Sequence, residues 1–217
     1  MEQIKNTILL IDDHPMLRNG VKQLIGTDSH FLVIAETGSG TEGIQLAVTL
    51  EPDIILLDIN MNDMNGLEIL RYLRRNNVSS RIIIFTVSNT KEDIITALKN
   101  GADGYLLKDM EPENLLKALH SIAEGKIIMD ESITYIMLDY MRYGDESTIK
   151  QSHDVNLLTP REHEIFNLLV QGLSNKLIAK ELDIVESTVK VHVKSIFKKL
   201  NFKSRMEMTV WYLQNKL

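Results

Sequence analysis

Five short apolar runs, none of them alternating with polar residues, constrain this chain most. They lie at 8–11, 31–35, 54–57, 82–85 and 105–107. A strand with one wet face alternates; an unbroken run needs cover on both faces, as in a parallel sheet between two helical layers. The stretches between the runs have helical spacing. Leu17, Val21, Leu24 and Ile25 fall at i, i+4, i+7 and i+8, and Leu115, Leu119 and Ile122 form a similar stripe. Strand–helix alternation therefore predicts an α/β, doubly wound, five-stranded parallel sheet of the flavodoxin-like kind over residues 1–125.

The rest of the chain follows other rules. Asp130 is a candidate cap for a helix near 130–142 that carries Ile133, Ile136, Met137, Tyr140 and Met141 on one face. Residues 144–154 are polar and aperiodic, so 126–154 reads as a linker. From 155 to 217 only helical signals remain, which predicts an all-α domain of four helices. Thr159-Pro160-Arg161-Glu162 is a capping box with proline at the first helical position. Gly172 ends that helix, Ser174 caps the next, and Ser204-Arg205-Met206-Glu207 is a second capping box.

A length of 217 residues accommodates two such cores. There is no cysteine, which excludes disulfides, thiolate metal sites and a thiol nucleophile, and suits a reducing cytoplasm. No apolar run is long enough to span a bilayer, and residues 1–6 lack a signal peptide's apolar stretch; no membrane attachment is expected. Charge is unevenly spread. Residues 1–156 carry 14 Lys and Arg against 24 Asp and Glu, and residues 157–217 carry 10 against 6. An acidic body before a basic tail suggests a polyanionic partner for the latter.

Chemistry concentrates at the strand ends. Asp12 and Asp13 follow the first run, Asp58 the third; Thr86 ends the fourth and Lys108 follows the fifth. In a parallel sheet these ends share one edge, where ligands bind. Three converging carboxylates call for a cation, and magnesium prefers hard oxygen ligands. Together with a hydroxyl and an ammonium, the set suits phosphoryl transfer to Asp58. One such Asp would ordinarily be read as a cap; five groups at successive strand ends would not.

Two enzyme readings compete. Gly38-Ser39-Gly40-Thr41-Glu42-Gly43 is a literal G-x-G-x-x-G with Asp63 twenty residues on, the form of a dinucleotide site. It stands after the second run, however, whereas that fingerprint belongs after the first. A phosphatase with Asp58 as nucleophile usually has a second Asp two residues on, where this chain has Asn60.

In the C-terminal part, a short helix over 175–182 with Leu177, Ile178 and Leu182 inward, a turn at Asp183-Ile184 and a helix over 186–200 make a helix-turn-helix. The last helix has two faces. Val189, Val193, Ile196 and Leu200 form a core stripe; Lys190, Val191, Lys194 and Lys198 cluster on the other side. Lysines reach guanine acceptors or phosphates, and valine contacts a thymine methyl, so double-stranded DNA is the expected partner. The bland alternative is a solvated lysine-rich helix.

Ile11-Asp12-Asp13-His14, Leu57-Asp58-Ile59-Asn60-Met61, Met64-Asn65-Gly66, Thr86 and Gly101-Ala102-Asp103-Gly104-Tyr105 leading to Lys108 resemble the receiver domain of bacterial response regulators. That resemblance implies that a sensor histidine kinase phosphorylates Asp58, that Asp12, Asp13, Asp58 and the Asn60 carbonyl bind magnesium, and that Thr86 and Tyr105 form a switch pair. Asn62 departs from a usual proline, which predicts a looser loop. Val87 departs from a usual small residue, which predicts a crowded pocket. Residues 158–192 are similar to the LuxR-type DNA-binding domain, which implies base contacts by Lys190, Val191 and Lys194 and a homodimer contact through the 205–216 helix with Trp211. Val185 there replaces a capping Ser or Thr. The segments 13–24 and 105–112 resemble the nitrate/nitrite response regulators of the NarL/FixJ family. They imply control of anaerobic respiration genes and a receiver that covers the recognition helix until phosphorylated. A different signal, a protein- or RNA-binding output, and a nucleotide-cofactor enzyme are the remaining readings.

Overall fold

The computed structural model describes residues 5–126, 133–136 and 153–215. Five strands, β1 (Asn6–Ile11), β2 (Phe31–Thr37), β3 (Ile54–Leu57), β4 (Arg81–Thr86) and β5 (Gly104–Leu107), pair in the order β2-β1-β3-β4-β5, all parallel. The connecting helices are α1 (Pro15–Gly26), α2 (Gly40–Leu50), α3 (Gly66–Arg75), α4 (Lys91–Lys99) and α5 (Pro112–Ala123).

Side-chain alternation explains why the apolar runs are unbroken. Ile8, Leu10, Ile54, Leu56, Ile83, Phe85 and Leu106 face one core with Val21 and Ile25 of α1 and Leu115, Leu119 and Ile122 of α5. Their neighbours Leu9, Ile11, Ile55, Leu57, Ile82, Ile84 and Tyr105 face the other, with Ala47 of α2, Ile69 and Leu73 of α3, and Ile94 and Ala97 of α4. Both faces are therefore dry, as the doubly wound reading requires.

Of the helix expected near 130–142, residues 133–136 are helical and Ile133 is buried in the second of these cores. Asp130, Met137, Tyr140, Met141 and residues 144–152 lie outside the described residues. The described residues take up again at His153, inside the expected linker. His153 stacks on Phe202 with ring centroids 4.0 Å apart, and the Asp154 carboxylate accepts from the Asn156 amide at 3.0 Å to cap a short turn, Val155–Leu157.

Four helices follow: α6 (Pro160–Val170), α7 (Asn175–Glu181), α8 (Glu186–Leu200) and α9 (Arg205–Asn215). The Thr159–Glu162 capping box forms in full. The second expected box forms by half: Ser204 Oγ accepts from the Glu207 amide at 3.1 Å, but the Glu207 carboxylate turns to the Lys203 amide. Asp183, at φ 51°, makes the α7–α8 turn, and the Ile184 amide closes it on the Ala179 carbonyl at 2.9 Å. Ile178, Val189, Val193, Ile196 and Leu200 are buried as expected, with Leu182 packed beside them. Leu177 is instead exposed, because Ile178 alone of that pair faces α8.

Candidate functional site

The pocket lies where β1, β3, β4 and β5 end. Lys108 Nζ sits 2.6 Å from Asp58 Oδ2 and 2.8 Å from Asp12 Oδ2, so one ammonium joins two strands' carboxylates. Asp58 is almost fully buried, Lys108 nearly so, and Thr86 fully. The Asn60 amide donates to Asp58 Oδ1 at 3.3 Å, and the Asn62 amide to Asp13 Oδ2 at 3.0 Å. Asn60 itself is exposed. Gly66, at the start of α3, must be glycine: a Cβ there would lie 1.9 Å from the Asp58 carbonyl oxygen.

The donor set fits a hard divalent cation. Three carboxylates face a single ammonium, and Asp13 Oδ1 is buried without a donor in bonding geometry. His14 Nδ1 approaches that oxygen to 2.9 Å but belongs to a mostly exposed side chain. One donor atom each from Asp12, Asp13, His14 and Asp58 falls within 4.8 Å of the others. His14 was not singled out from the sequence as a member; its position one residue after the acid pair was the available signal.

Thr86 and Tyr105 are linked through Ser88, a residue the sequence did not point to. The Ser88 amide donates to Thr86 Oγ1 at 3.3 Å, and the Tyr105 hydroxyl donates to the Ser88 carbonyl at 2.8 Å. Burial pushes the Tyr105 phenol up to about 12, so it remains a neutral donor near pH 7.

The glycine-rich segment is not a phosphate cradle. The N-terminus of α2 is filled by this chain's own Asp63, whose carboxylate accepts from the Gly40 amide at 2.9 Å and the Ser39 hydroxyl at 2.8 Å. The Gly40 amide, then the Ser39 hydroxyl, hold that carboxyl below the usual range. A pyrophosphate would meet an anion there.

The second surface is α8, and its lysines are divided. Lys198 and Val191 are exposed. Lys190 donates to the Glu51 carbonyl at 2.8 Å, Lys194 pairs with the Glu51 carboxylate, and Lys176 of α7 lies 2.7 Å from Asp53 Oδ2. Glu51 and Asp53 precede β3, so the helical domain docks on the amino ends of the strands, opposite the acid pocket. Gly125 meets Gly172 so closely that a Cβ on Gly125 would lie 1.3 Å from the Gly172 carbonyl oxygen. Arg205 donates its backbone amide to Asp103 Oδ1 at 3.2 Å, while the Arg74 guanidinium pairs with the same carboxylate.

The docking surface is imperfect. Arg205 Nε is buried with no acceptor, and burial, reinforced by the Arg81 cation, pushes that guanidinium down to about 9. Burial and the Asp53 charge push the Glu186 carboxyl up.

Residues 8–120 match the response regulator receiver domain, and residues 156–212 match the luxR family of bacterial regulatory proteins. The chain is 56% identical over 211 residues to the nitrate/nitrite response regulator protein NarL of Escherichia coli K12, covering 97% of this chain and 96% of that one. The chain belongs to the bacterial response regulators. This response regulator is also 43% identical to the NarP protein of the same strain, over 96% and 95% of the two chains. The crystal structure of response regulator ChrA, from a heme-sensing two-component system, aligns over 98% of both chains with a TM-score of 0.52 at 30% identity.

The family's departures can now be read physically in this regulator. Asn62 supplies an N–H that proline lacks, and its bond to Asp13 ties the loop that was expected to be loose. Val87 is 69% exposed, so it does not fill the pocket as expected. Val185, the N-cap of α8, gives it no side-chain cap, as its identity implied; that omission costs the helix about 1 kcal/mol. No helix among the described residues of the regulator is long and apolar enough to cross a membrane.

Proposed function

We propose that this regulator divides into a receiver (1–125), a linker (126–154) and a DNA-binding output domain (155–217), and that a sensor histidine kinase controls it by phosphorylating Asp58. The observation that carries the reading is the single ammonium of Lys108 held between Asp58 and Asp12 at a buried strand-end pocket. An Asp58 carboxylate oxygen attacks phosphorus, the P–N bond of the kinase's phosphohistidine breaks, and the imidazole leaves. Lys108 and the Thr86 hydroxyl then face the new phosphoryl oxygens. Asp12, Asp13, Asp58 and the Asn60 carbonyl would hold Mg2+, which when bound offsets charge on those oxygens.

Thr86 follows the phosphoryl group, its contact with Ser88 loosens, and Tyr105 is released from the Ser88 carbonyl, biasing a two-state surface. The docked output domain is the off state: Lys190 and Lys194 are engaged by Glu51 and unavailable to DNA. When freed, Lys190, Val191, Lys194 and Lys198 meet the major groove and its phosphates, and a homodimer forms on DNA through α9, whose Leu213 is exposed. Likeness to the nitrate/nitrite regulators supports control of nitrate- and nitrite-responsive anaerobic respiration genes in the cytoplasm.

The test is labelling with acetyl phosphate. Mg2+-dependent label is expected at one site, absent in Asp58→Ala with the fold retained by circular dichroism. Stoichiometric label persisting in that variant overturns the assignment.

A further inference from the structure

A second group of metal-ligating side chains stands at the opposite end of the sheet. Asp28 lies in the α1–β2 loop, His30 immediately precedes β2, and His120 is in the last turn of α5. Asp28 Oδ1 is 2.9 Å from His30 Nδ1, and Asp28 Oδ2 is 2.6 Å from His120 Nε2. Each imidazole thus addresses a different oxygen of one carboxylate. The three donor atoms lie within 4.8 Å of one another.

The ligands are also oriented. The His120 ring meets Phe31 edge-on at 5.0 Å and His30 at 5.1 Å, which fixes the side of the ring that faces Asp28. The His30 amide donates to Asp28 Oδ1 at 2.9 Å, which fixes the carboxylate between the two imidazoles.

Two imidazole nitrogens and one carboxylate oxygen are a borderline-soft set, suited to zinc, nickel or copper and not to magnesium. Zinc–ligand distances of about 2.0–2.2 Å place neighbouring donors about 3.3 Å apart in a tetrahedron. The two Asp–His separations, 2.9 and 2.6 Å, need widen by less than about 1 Å to reach that spacing. An exposed His–Asp pair alone contributes little stability, so ion pairing is a weak account of three converging ligands. We infer that Asp28, His30 and His120 form a three-ligand site for a divalent transition-metal ion, with solvent at the open position. The ion fastens α5 to the amino end of β2, next to Gly125, where the chain leaves the receiver against the output domain.

The experiment titrates the full-length protein with Zn2+ by calorimetry at neutral pH, with excess Mg2+ present to compete at the acid pocket. The expected result is one equivalent bound with a Kd of about 10 μM or tighter. Affinity should fall at least about tenfold in His30→Gln and in His120→Gln, and stay unchanged in His14→Gln, which removes the imidazole beside the acid pocket. Co2+ should give a visible absorption band that His120→Gln abolishes. Circular dichroism checks that each variant folds, and Asp28→Asn, nearly isosteric, gives an independent ligand deletion. Absence of Zn2+ binding, or binding whose affinity falls in His14→Gln as much as or more than in the other two variants, overturns the proposal.

Discussion

Ser88 touches both residues of the proposed switch with backbone atoms: its amide meets Thr86 and its carbonyl meets Tyr105. Such a link is only as strong as one or two hydrogen bonds, each about 1 kcal/mol net. Tyr105→Phe should therefore leave acetyl phosphate labelling intact yet change the gain in DNA affinity on phosphorylation by about fivefold. Thr86→Ala should remove that gain altogether. Labelling and mobility-shift assays on the same samples check both, and a normal response in Thr86→Ala would sink the relay. Asp12, Asp13, Asp58, Thr86 and Lys108 were legible in the sequence because parallel topology sends every strand end to one edge. Ser88 was not, since a bond made by a main-chain atom leaves no mark on residue identity. Asn62 misled for a related reason: what counts there is its N–H.

Among the elements, α6 carries the clearest local code, and the structure gives its Glu162 a further task. Besides closing the capping box on the Thr159 amide, it accepts from Ser195 Oγ and pairs with Lys199, each at 2.6 Å, stapling α6 to α8. Burial alone would raise its pKa; Lys199, then Ser195, outweigh it and hold the carboxyl at about 2. The sign follows. A carboxyl depressed in the native state stabilises the fold above its ordinary value near 4.5, and that contribution disappears as pH falls toward 2. Glu162→Gln should lose about 2 kcal/mol at pH 7 and show less acid sensitivity over that window. Melts followed by Trp211, the chain's one tryptophan and part of this core, report it. The helices themselves were readable from caps and apolar spacing. Their second faces were not: Arg205, seen in the sequence only as part of a capping box, is buried against Asp103 of the receiver. A charge buried by another domain looks, in sequence, like any surface charge.

For the whole molecule, β3 is the axis. Asp53 at its start holds Lys176, Asp58 at its end is the phosphoacceptor candidate, and about 17 Å of strand separates them. Phosphorylation must therefore act through the sheet and its helices. Weakening the far pole directly should mimic it. Asp53→Asn should raise the DNA affinity of the unphosphorylated chain by about tenfold, and Glu51→Gln by about two- to fivefold, since its pair with Lys194 is more exposed. Mobility shifts at one fixed salt concentration check this; unchanged affinity in both variants would mean the docked face is not what limits binding. Lys190 and Lys194 hold Glu51 in the docked state; on the proposed reading the same lysines take DNA, so the nucleic acid competes with docking. Coupling free energies are reciprocal. Whatever factor the phosphoryl group adds to DNA affinity, bound DNA must return to the acid pocket. A fragment selected for binding should tighten the pocket's hold on beryllofluoride, a phosphoryl mimic, by that same factor, which makes the promoter an effector of its own regulator.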